Sequence, residues 1–242
     1  MGFGFSRIMG KKIIRGIILA LLFVSAFIMI FGLSFRLAAF DEGFYKKEFA
    51  KYGVYENLQG HDVESINKGV LNYLLKEDGN IIAGSFFNER EKGHLLDVRI
   101  IIRKFLFVYH ASIFFFFALI FILLALTSYG IKKFLSLISK IILSAALSTM
   151  LLALALFFAS FTGFETIFQK FHETFFLPET FLFDPNFEKI VVLYPENIFF
   201  DLLARIILFA VLSSVIAGGV CAGFLGKDFF KKLLKKIRRK TK

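Results

Sequence analysis

Four long apolar runs divide the sequence and limit what it can fold into. They cover Ile13–Leu33, Phe105–Ser128, Leu135–Phe161 and Leu202–Leu225. Each is about as long as the roughly 20 helical residues that cross a hydrocarbon core of about 30 Å. With 57% hydrophobic residues among 242, the chain is too apolar for a water-soluble domain of this length. The sequence therefore predicts an all-α polytopic membrane protein with four transmembrane helices.

The distribution of charge predicts how the chain crosses the membrane. The net charge is +11, yet 18 of the 19 acidic residues lie in two segments, 36–104 and 162–201. The N-terminus, the connection after the second run and the tail are basic, and the tail carries nine Lys and Arg. Because cytoplasmic loops are enriched in Lys and Arg, both termini are predicted to be cytoplasmic. The two acidic segments then face outward and form a small cap.

These boundaries define the predicted organisation of the chain. It comprises a cytoplasmic N-terminus (1–12), a first transmembrane helix (13–35), an outward segment (36–104), a second helix (105–128), a cytoplasmic loop (129–134), a third helix (135–161), a second outward segment (162–201), a fourth helix (202–225) and a basic tail (226–242). The tail is typical of an amphipathic helix that lies on anionic lipid, and nucleic-acid binding is a poor second interpretation.

Helical spacing is present in both outward segments. Ile66, Val70 and Leu74 recur at helical intervals after the candidate caps Asp62 and Ser65, and a turn at Asp78-Gly79-Asn80 is expected to end that helix. In the second outward segment the helical stripe consists of Phe164, Phe168, Phe171 and Phe175, with His172 beside it. So many aromatic residues predict that this segment packs on the first one and enters the headgroup region.

The histidines are the main candidates for chemistry. There are four, His61, His94, His110 and His172, and imidazole can accept and donate a proton near neutral pH. In a helix, Asp97 would share a face with His94 and could orient its ring. A surface ion pair explains the same spacing, and an interfacial aromatic helix explains His172. His110 is predicted to pack within the second span, and His61 to lie in a solvated turn.

Several familiar catalytic signals are missing from the sequence. It contains no Gly-x-Ser-x-Gly elbow, no His-Glu-x-x-His zinc helix and no phosphate loop. The lone Cys221 allows no intramolecular disulfide and no cysteine metal site. No spacing of histidines and carboxylates supports a metal, so no metal or cofactor is predicted. The residues alone indicate a histidine-based site at the outer surface and leave its substrate open.

Longer motifs add a family resemblance. The stretch "FFNEREKGHLLDVR", a following span, and then "FQKFHETFF", "FDP" and "VVLYPENIFF" before the last span resemble the lipoprotein intramolecular transacylases of Gram-positive bacteria. The resemblance covers nearly the whole chain. Its most specific parts are His-x-x-Asp-Val-(Lys/Arg) and Phe-His-x-x-Phe with the downstream Tyr-Pro-Glu. Family members are expected to carry a Trp before the Phe-Asp-Pro turn, whereas this chain has no Trp and has Phe181 in that neighbourhood.

The resemblance implies a reaction and its site. The enzyme would act on diacylglyceryl-modified lipoproteins in the plasma membrane and move the sn-2 acyl chain to the α-amino group of the N-terminal cysteine. Two essential histidines of the family correspond to His94 and His172. We expect His94, oriented by Asp97, to be the general base and His172 to protonate the leaving alkoxide or stabilise the oxyanion. Supporting candidates for oxyanion or amine contacts are Arg99, Glu89 and Tyr109.

Two alternatives remain open from the sequence. His94 could itself attack the ester and carry the acyl group transiently. A protein without enzymatic activity could instead bind or scaffold exported lipoproteins through its aromatic outward segment. A channel is disfavoured, because the spans contain almost no polar residues at mid-membrane depth. The oligomeric state is not predicted.

Overall fold

The structure is a computed structural model that describes residues 2–75 and 86–240. Within these ranges it is helical and contains no strand, which confirms the all-α prediction. The helices are α1 (Gly2–Ala39), α2 (Glu42–Lys51), α3 (Val54–Asn57), α4 (Val63–Leu75), α5 (Glu89–Leu126), α6 (Ile131–Phe175), α7 (Pro178–Phe181), α8 (Ile190–Leu193) and α9 (Glu196–Lys240).

Four helices are long and apolar enough to cross a membrane. The candidate spans are Lys12–Ala39, Glu89–Leu126, Ile131–Phe161 and Glu196–Gly226, and the four predicted runs fall in them except for the last two residues of the second run. A helix of 38 residues such as α5 is about 57 Å long, well beyond the hydrocarbon thickness of about 30 Å. The same rigid helix therefore carries residues 89–104 beyond the apolar run.

Large apolar side chains on the outside of these helices fit a hydrocarbon environment. Phe107, Phe121 and Phe161 have relative exposures of 74%, 70% and 72%. Exposure of such an apolar surface to water is energetically unfavourable, whereas contact with lipid chains is not. The exposed phenylalanines therefore agree with the four transmembrane helices.

The chain divides into two compact units. One comprises Met1–Leu33, Val108–Ala153 and Ala210–Lys242, and the other comprises Ser34–Phe107 and Leu154–Phe209. The first unit has a core in which α1, α5 and α6 meet through Leu22, Leu123 and Ala145, all of them fully buried. Close helix packing in this unit depends on small residues. A Cβ added at Gly32 would come within 2.4 Å of the Tyr109 ring.

The second unit contains both predicted outward segments. Its core joins α2, α3 and α4 from the first segment to α8 and the start of α9 from the second, with Phe49, Leu193 and Ile198 fully buried. The two segments therefore pack together as predicted. Inside this core the Tyr194 hydroxyl donates to Asn67 Oδ1 at 2.9 Å and the Tyr45 hydroxyl donates to the Ala39 carbonyl at 2.9 Å.

Charged side chains connect α2 to α9 in the same unit. Asp201 accepts hydrogen bonds from the Lys51 ammonium and, at 2.6 Å, from the Tyr52 hydroxyl. Just before α2, the Asp41 carboxylate pairs with the Arg205 guanidinium. The pKa of Glu48 is raised by burial first and then by the neighbouring Asp201 carboxylate. This cluster holds the beginning of α9 in register with α2.

Gly163 divides α6 where the predicted third span ends. Its backbone has φ +155°, a conformation that residues with a side chain rarely adopt. The residues before it are the apolar run, and those after it form a short helix with the predicted phenylalanine stripe. Glycine here lets one chain segment turn from a membrane helix into an amphipathic helix that ends near His172.

The predicted helix of the first outward segment is confirmed as α4. The Asp62 carboxylate accepts a hydrogen bond from the Ser65 backbone N–H at 3.0 Å, as expected of a capping residue. The helix ends at Leu75. The turn predicted at Asp78-Gly79-Asn80 lies outside the described residues.

We expect Gly32→Ala to destabilise the protein by about 1–3 kcal/mol, because the new methyl group would overlap the base of the buried Tyr109 ring. Gly16→Ala on the same helix is the matched control, since a Cβ there meets open space. Thermal unfolding in detergent micelles should show a lower midpoint for the first variant and an unchanged or slightly higher one for the second. Equal midpoints would contradict the close packing at Gly32.

We expect Glu48→Gln to stabilise the protein increasingly as pH rises. The pKa of Glu48 is raised in the folded state, so the cost of its ionisation is absent at low pH and fully present above that folded pKa. Glutamine cannot ionise and avoids this cost. The unfolding midpoint of the variant relative to the wild type should therefore increase between about pH 4 and pH 8. A difference that stays constant over this range would show that Glu48 is not perturbed.

Candidate active site

The two histidines selected from the sequence face each other in the second unit. His94 lies near the start of α5 and His172 in the last turn of α6. Their ring centroids are 6.1 Å apart and the ring planes differ by only 18°. Residues separated by 78 positions thus form one pair of nearly parallel imidazoles.

Aromatic rings surround this histidine pair. Phe176 contacts both histidines, with centroid distances of 4.8 Å to His94 and 5.5 Å to His172. Phe183 packs edge-on against His94 at 5.4 Å. Phe181, in the neighbourhood where a Trp is expected in the family, lies 5.3 Å from His172. These rings remove water from the imidazoles and provide an apolar surface next to them.

Hydrogen bonds determine which nitrogen of each ring is available. The His172 Nδ1 lies 2.7 Å from the Phe168 carbonyl, which can only accept, so Nδ1 carries the proton and Nε2 is left for chemistry. His94 is 8% exposed and hydrogen-bonds to the backbone of Thr180. The Thr180 N–H is already donated to the Leu177 carbonyl.

The remaining acceptor on Thr180 is its carbonyl, so the His94 ring must be the donor. Among the described residues, His94 Nδ1 is buried and has no hydrogen-bond partner. If Nε2 donates to that carbonyl, Nδ1 is the ring nitrogen that carries the lone pair.

Asp97 does not make the contact expected of it. It lies one helical turn from His94, as predicted, but within the described part of the chain no hydrogen bond joins its carboxylate to His94 Nδ1. The ring instead turns into the cluster of Phe176 and Phe183 and is oriented by the Thr180 backbone. The geometry thus differs from the expectation that Asp97 orients the imidazole.

The other supporting candidates lie in different surroundings. Glu89 has a side-chain exposure of 90% and pairs with Lys92 at 2.8 Å. The Arg99 guanidinium lies 4.4 Å from the centre of the buried Tyr73 ring. Tyr109 belongs to the first unit, where its ring packs against Gly32. None of these observed contacts involves a histidine of the facing pair.

Glu91 is a site residue that the sequence analysis missed. It is 1% exposed, and its carboxylate accepts hydrogen bonds from the Asn88 N–H at 2.6 Å and from the Ile190 N–H at 2.7 Å. Asn88 Oδ1 in return accepts from the Glu91 N–H at 2.9 Å. The pattern Asn-x-x-Glu at 88–91 is a capping-box signal that could have revealed this role. Glu91 therefore both starts α5 and binds α8, one turn before His94.

Arg90 and Glu188 were also missed. The Arg90 guanidinium donates to Glu188 Oε1 at 2.7 Å and to the Leu182 carbonyl, and it lies over the Phe183 ring. Glu188 is 6% exposed despite its charge. No local pattern signals this pair, because its members are 98 residues apart.

Metal ligands do not gather around the histidines. Across residues 2–75 and 86–240, no group of three or more His, Cys, Asp or Glu side chains is placed to hold a metal ion. The chemistry available at the site is therefore that of two imidazoles in an apolar cage, one with a buried lone pair and one with a free Nε2.

We expect Glu91→Gln to lower stability by about 1.5–3 kcal/mol, because glutamine offers one carboxyl oxygen fewer and directs an N–H at a backbone donor. The matched control is Glu89→Gln on the same helical turn, where the side chain is largely exposed. Denaturant unfolding in micelles measures both. An equal effect of the two substitutions would contradict a structural role for the Glu91 carboxylate.

Comparisons with known proteins add a family and a fold. The sequence profile of the lipoprotein intramolecular transacylase family, Lit, matches residues 20–200. An in meso structure of the membrane-integral lipoprotein intramolecular transacylase of Bacillus cereus is similar with a TM-score of 0.73 and 20% identity, and covers 90% of this chain and 99% of that one. A second structure of that protein, with a histidine replaced by arginine, has a TM-score of 0.72 and 19% identity over 94% and 99%.

A third structure of the Bacillus cereus protein, with a histidine replaced by alanine, is similar with a TM-score of 0.71 and 19% identity, over 93% of this chain and 99% of that one. At these identities the similarity shows a shared membrane fold. No curated protein matched the sequence.

Proposed function

The chain belongs to the lipoprotein intramolecular transacylase family and is an acyltransferase, and we propose that it forms lyso-lipoproteins by histidine catalysis. The sn-2 ester of a diacylglyceryl-modified lipoprotein would lose its acyl chain to the α-amino group of the N-terminal cysteine. One C–N bond forms, one C–O bond breaks, and a proton passes from the amine to the glycerol oxygen.

The facing histidine pair is the observation that carries this proposal. A reacting group must come within about 3–3.5 Å of each catalytic group. Two nearly parallel rings 6.1 Å apart are close enough to act on one bound ester. Imidazole lone pairs and N–H bonds lie in the ring plane, so an ester placed along the shared edge of the two rings would meet a nitrogen of each, which suits transfer of a proton from the attacking amine to the leaving oxygen.

The two imidazoles differ in a way that suits one base and one acid. His94 Nδ1 has no hydrogen-bond partner among the described residues, and in the neutral ring with its proton on Nε2 it can accept the proton that the amine must lose. His172 Nε2 can deliver a proton to the departing alkoxide, with the ring held by the Phe168 carbonyl. Two imidazolium charges about 6 Å apart would repel by roughly 3 kcal/mol at an effective dielectric of about 20. A single shared proton is therefore favoured.

Proximity of the ester and the amine accounts for much of the rate enhancement that proton transfer does not supply. The ester and the amine belong to one substrate molecule, so their reaction needs no second encounter. The apolar rings of Phe176 and Phe183 exclude water, which would otherwise hydrolyse the ester. A covalent acyl-enzyme is not required. In the alternative version, His94 Nδ1 attacks the ester and holds an acyl-imidazole, which a trapping experiment would detect.

The site is proposed to face the outer leaflet of the plasma membrane, where mature lipoproteins lie. The acid-rich segments 36–104 and 162–201, which supply both histidines, are predicted to face outward, and both termini are predicted to be cytoplasmic. Membrane lipid would surround the exposed Phe171 and Phe175 beside His172. Substrate acyl chains could reach the aromatic cage through this apolar surface.

Membership of an acyltransferase family disfavours the alternative of a scaffold without enzymatic activity. The two ideas also differ in what they require of the histidines. A scaffold would tolerate replacement of either ring, whereas acid–base catalysis requires both.

We expect His94→Ala and His172→Ala each to reduce acyl migration by at least about 100-fold, because each removes one proton-transfer group. The measurement is mass spectrometry of a lipoprotein N-terminal peptide from cells that otherwise make only the diacyl form. Total acyl mass should stay constant while one chain moves to the cysteine nitrogen in the presence of the wild-type protein.

His61→Ala is the matched control, since His61 is exposed and, in the described part of the chain, packs against the Phe86 ring and not against the histidine pair. It should retain wild-type migration. Full migration with either the His94 or the His172 variant would refute the catalytic assignment, and lack of migration with folded wild-type protein would refute the proposed reaction.

A further inference from the structure

Phe183 is the member of the segment between α7 and α8 that packs against the apolar core, and the other large apolar side chains of the segment lie outside. Leu182 and Phe187 within it are 63% and 79% exposed. Their burial cannot supply the stabilisation that fixes a loop, because most of their surface stays outside the core. Another kind of interaction must hold residues 182–188 where they lie.

Charged hydrogen bonds to the first turn of α5 provide that interaction. The Arg90 guanidinium binds Glu188 Oε1 at 2.7 Å with one nitrogen and the Leu182 carbonyl with another. It also lies 4.9 Å from the centre of the Phe183 ring. The planar guanidinium group carries several N–H donors and can make all these contacts at once, whereas the ammonium group of a lysine cannot.

Glu188 closes the segment from the other side. Its second oxygen, Oε2, accepts the Asp184 backbone N–H at 2.7 Å, and its side chain is only 8% exposed. A carboxylate buried to this extent needs such partners to remain charged. Arg90 and Glu188 therefore form one structure that fixes both ends of the segment from Leu182 to Glu188.

The segment fixed in this way contacts the facing histidines. Phe183 inside it packs on His94 at 5.4 Å. Directly before it, Phe181 packs on His172 at 5.3 Å and Thr180 hydrogen-bonds to His94. Movement of residues 182–188 would therefore change the surroundings of both imidazoles.

We propose that the Arg90–Glu188 pair is a positioning device for acyl transfer, which sets the geometry of His94 and His172 through the segment 182–188. This inference rests on the function proposed above. The contacts described here for both residues run to the segment 182–188, so their effect on the reaction is indirect. A displacement of about 1 Å at a reacting group can cost up to about 100-fold in rate.

The test uses full-length protein in micelles and a synthetic peptide with a diacylglyceryl cysteine as substrate. Arg90→Gln and Glu188→Gln should each lower kcat about 10- to 100-fold while KM changes less than about threefold. The double variant should be no slower than the worse single variant, because one device is lost in each case. Arg90→Lys, which keeps the charge but not the fork, should retain intermediate activity.

The matched control is a second ion pair of the same unit, Lys46 with Glu64 at 2.9 Å, which is exposed on both sides. Lys46→Gln and Glu64→Gln should leave kcat unchanged. If kcat is also unchanged in the Arg90 and Glu188 variants, or if KM alone rises, the positioning role is refuted. Loss of activity in proportion to loss of thermal stability across both pairs would equally refute it.

Hydrogen–deuterium exchange of residues 182–190 keeps the inference separate from the proposed function. Exchange in this segment should become at least about tenfold faster in Arg90→Gln and Glu188→Gln and stay unchanged in the control pair. If the wild type fails to convert the lipopeptide, the proposed reaction is wrong, while faster exchange in the variants still shows that the Arg90–Glu188 pair holds the segment. Unchanged exchange would refute the positioning role of the pair, whatever the activity.

Discussion

Backbone hydrogen bonding in hydrocarbon is the constraint on which the rest of the structure depends. The membrane core offers no partner to a free N–H or carbonyl, so a chain that crosses it must pair these groups within itself, as a continuous helix does. The four long helices do this over their apolar runs, except for the last two residues of the second run. The non-helical backbone and the short helices between α1 and α5, and between α6 and α9, then lie at the helix ends, within the ranges Ser34–Phe107 and Leu154–Phe209.

This constraint also explains how the candidate site is built. His94 and His172 lie near the ends of two membrane helices, which are more rigid supports than loops would be. Gly163 lets α6 change from an apolar span to an aromatic helix at the place where the site begins. Rigid helices position their own Cα atoms, but the segments between the helices must be held by further contacts. Glu91 supplies one by accepting backbone N–H groups from both α5 and α8.

The chemistry of the site follows from its surroundings more than from the number of its polar groups. Phenylalanines on several elements pack against the two imidazoles and reduce their contact with water. An intramolecular acyl shift needs few further catalytic groups, because its nucleophile and its ester belong to one substrate molecule. A covalent nucleophile with an activating base would add groups that this reaction does not need.

The sequence by itself determined the four spans, their apolar lengths, the helix at α4 and the two histidines, because these depend on local periodicity, composition and recognisable motifs. It did not determine which groups meet. Asp97 shares a face of α5 with His94 in the sequence pattern, yet the Thr180 backbone binds the ring. Arg90 and Glu188 pair across 98 residues. Such contacts depend on how distant segments fold back on one another, and only the tertiary structure decided them.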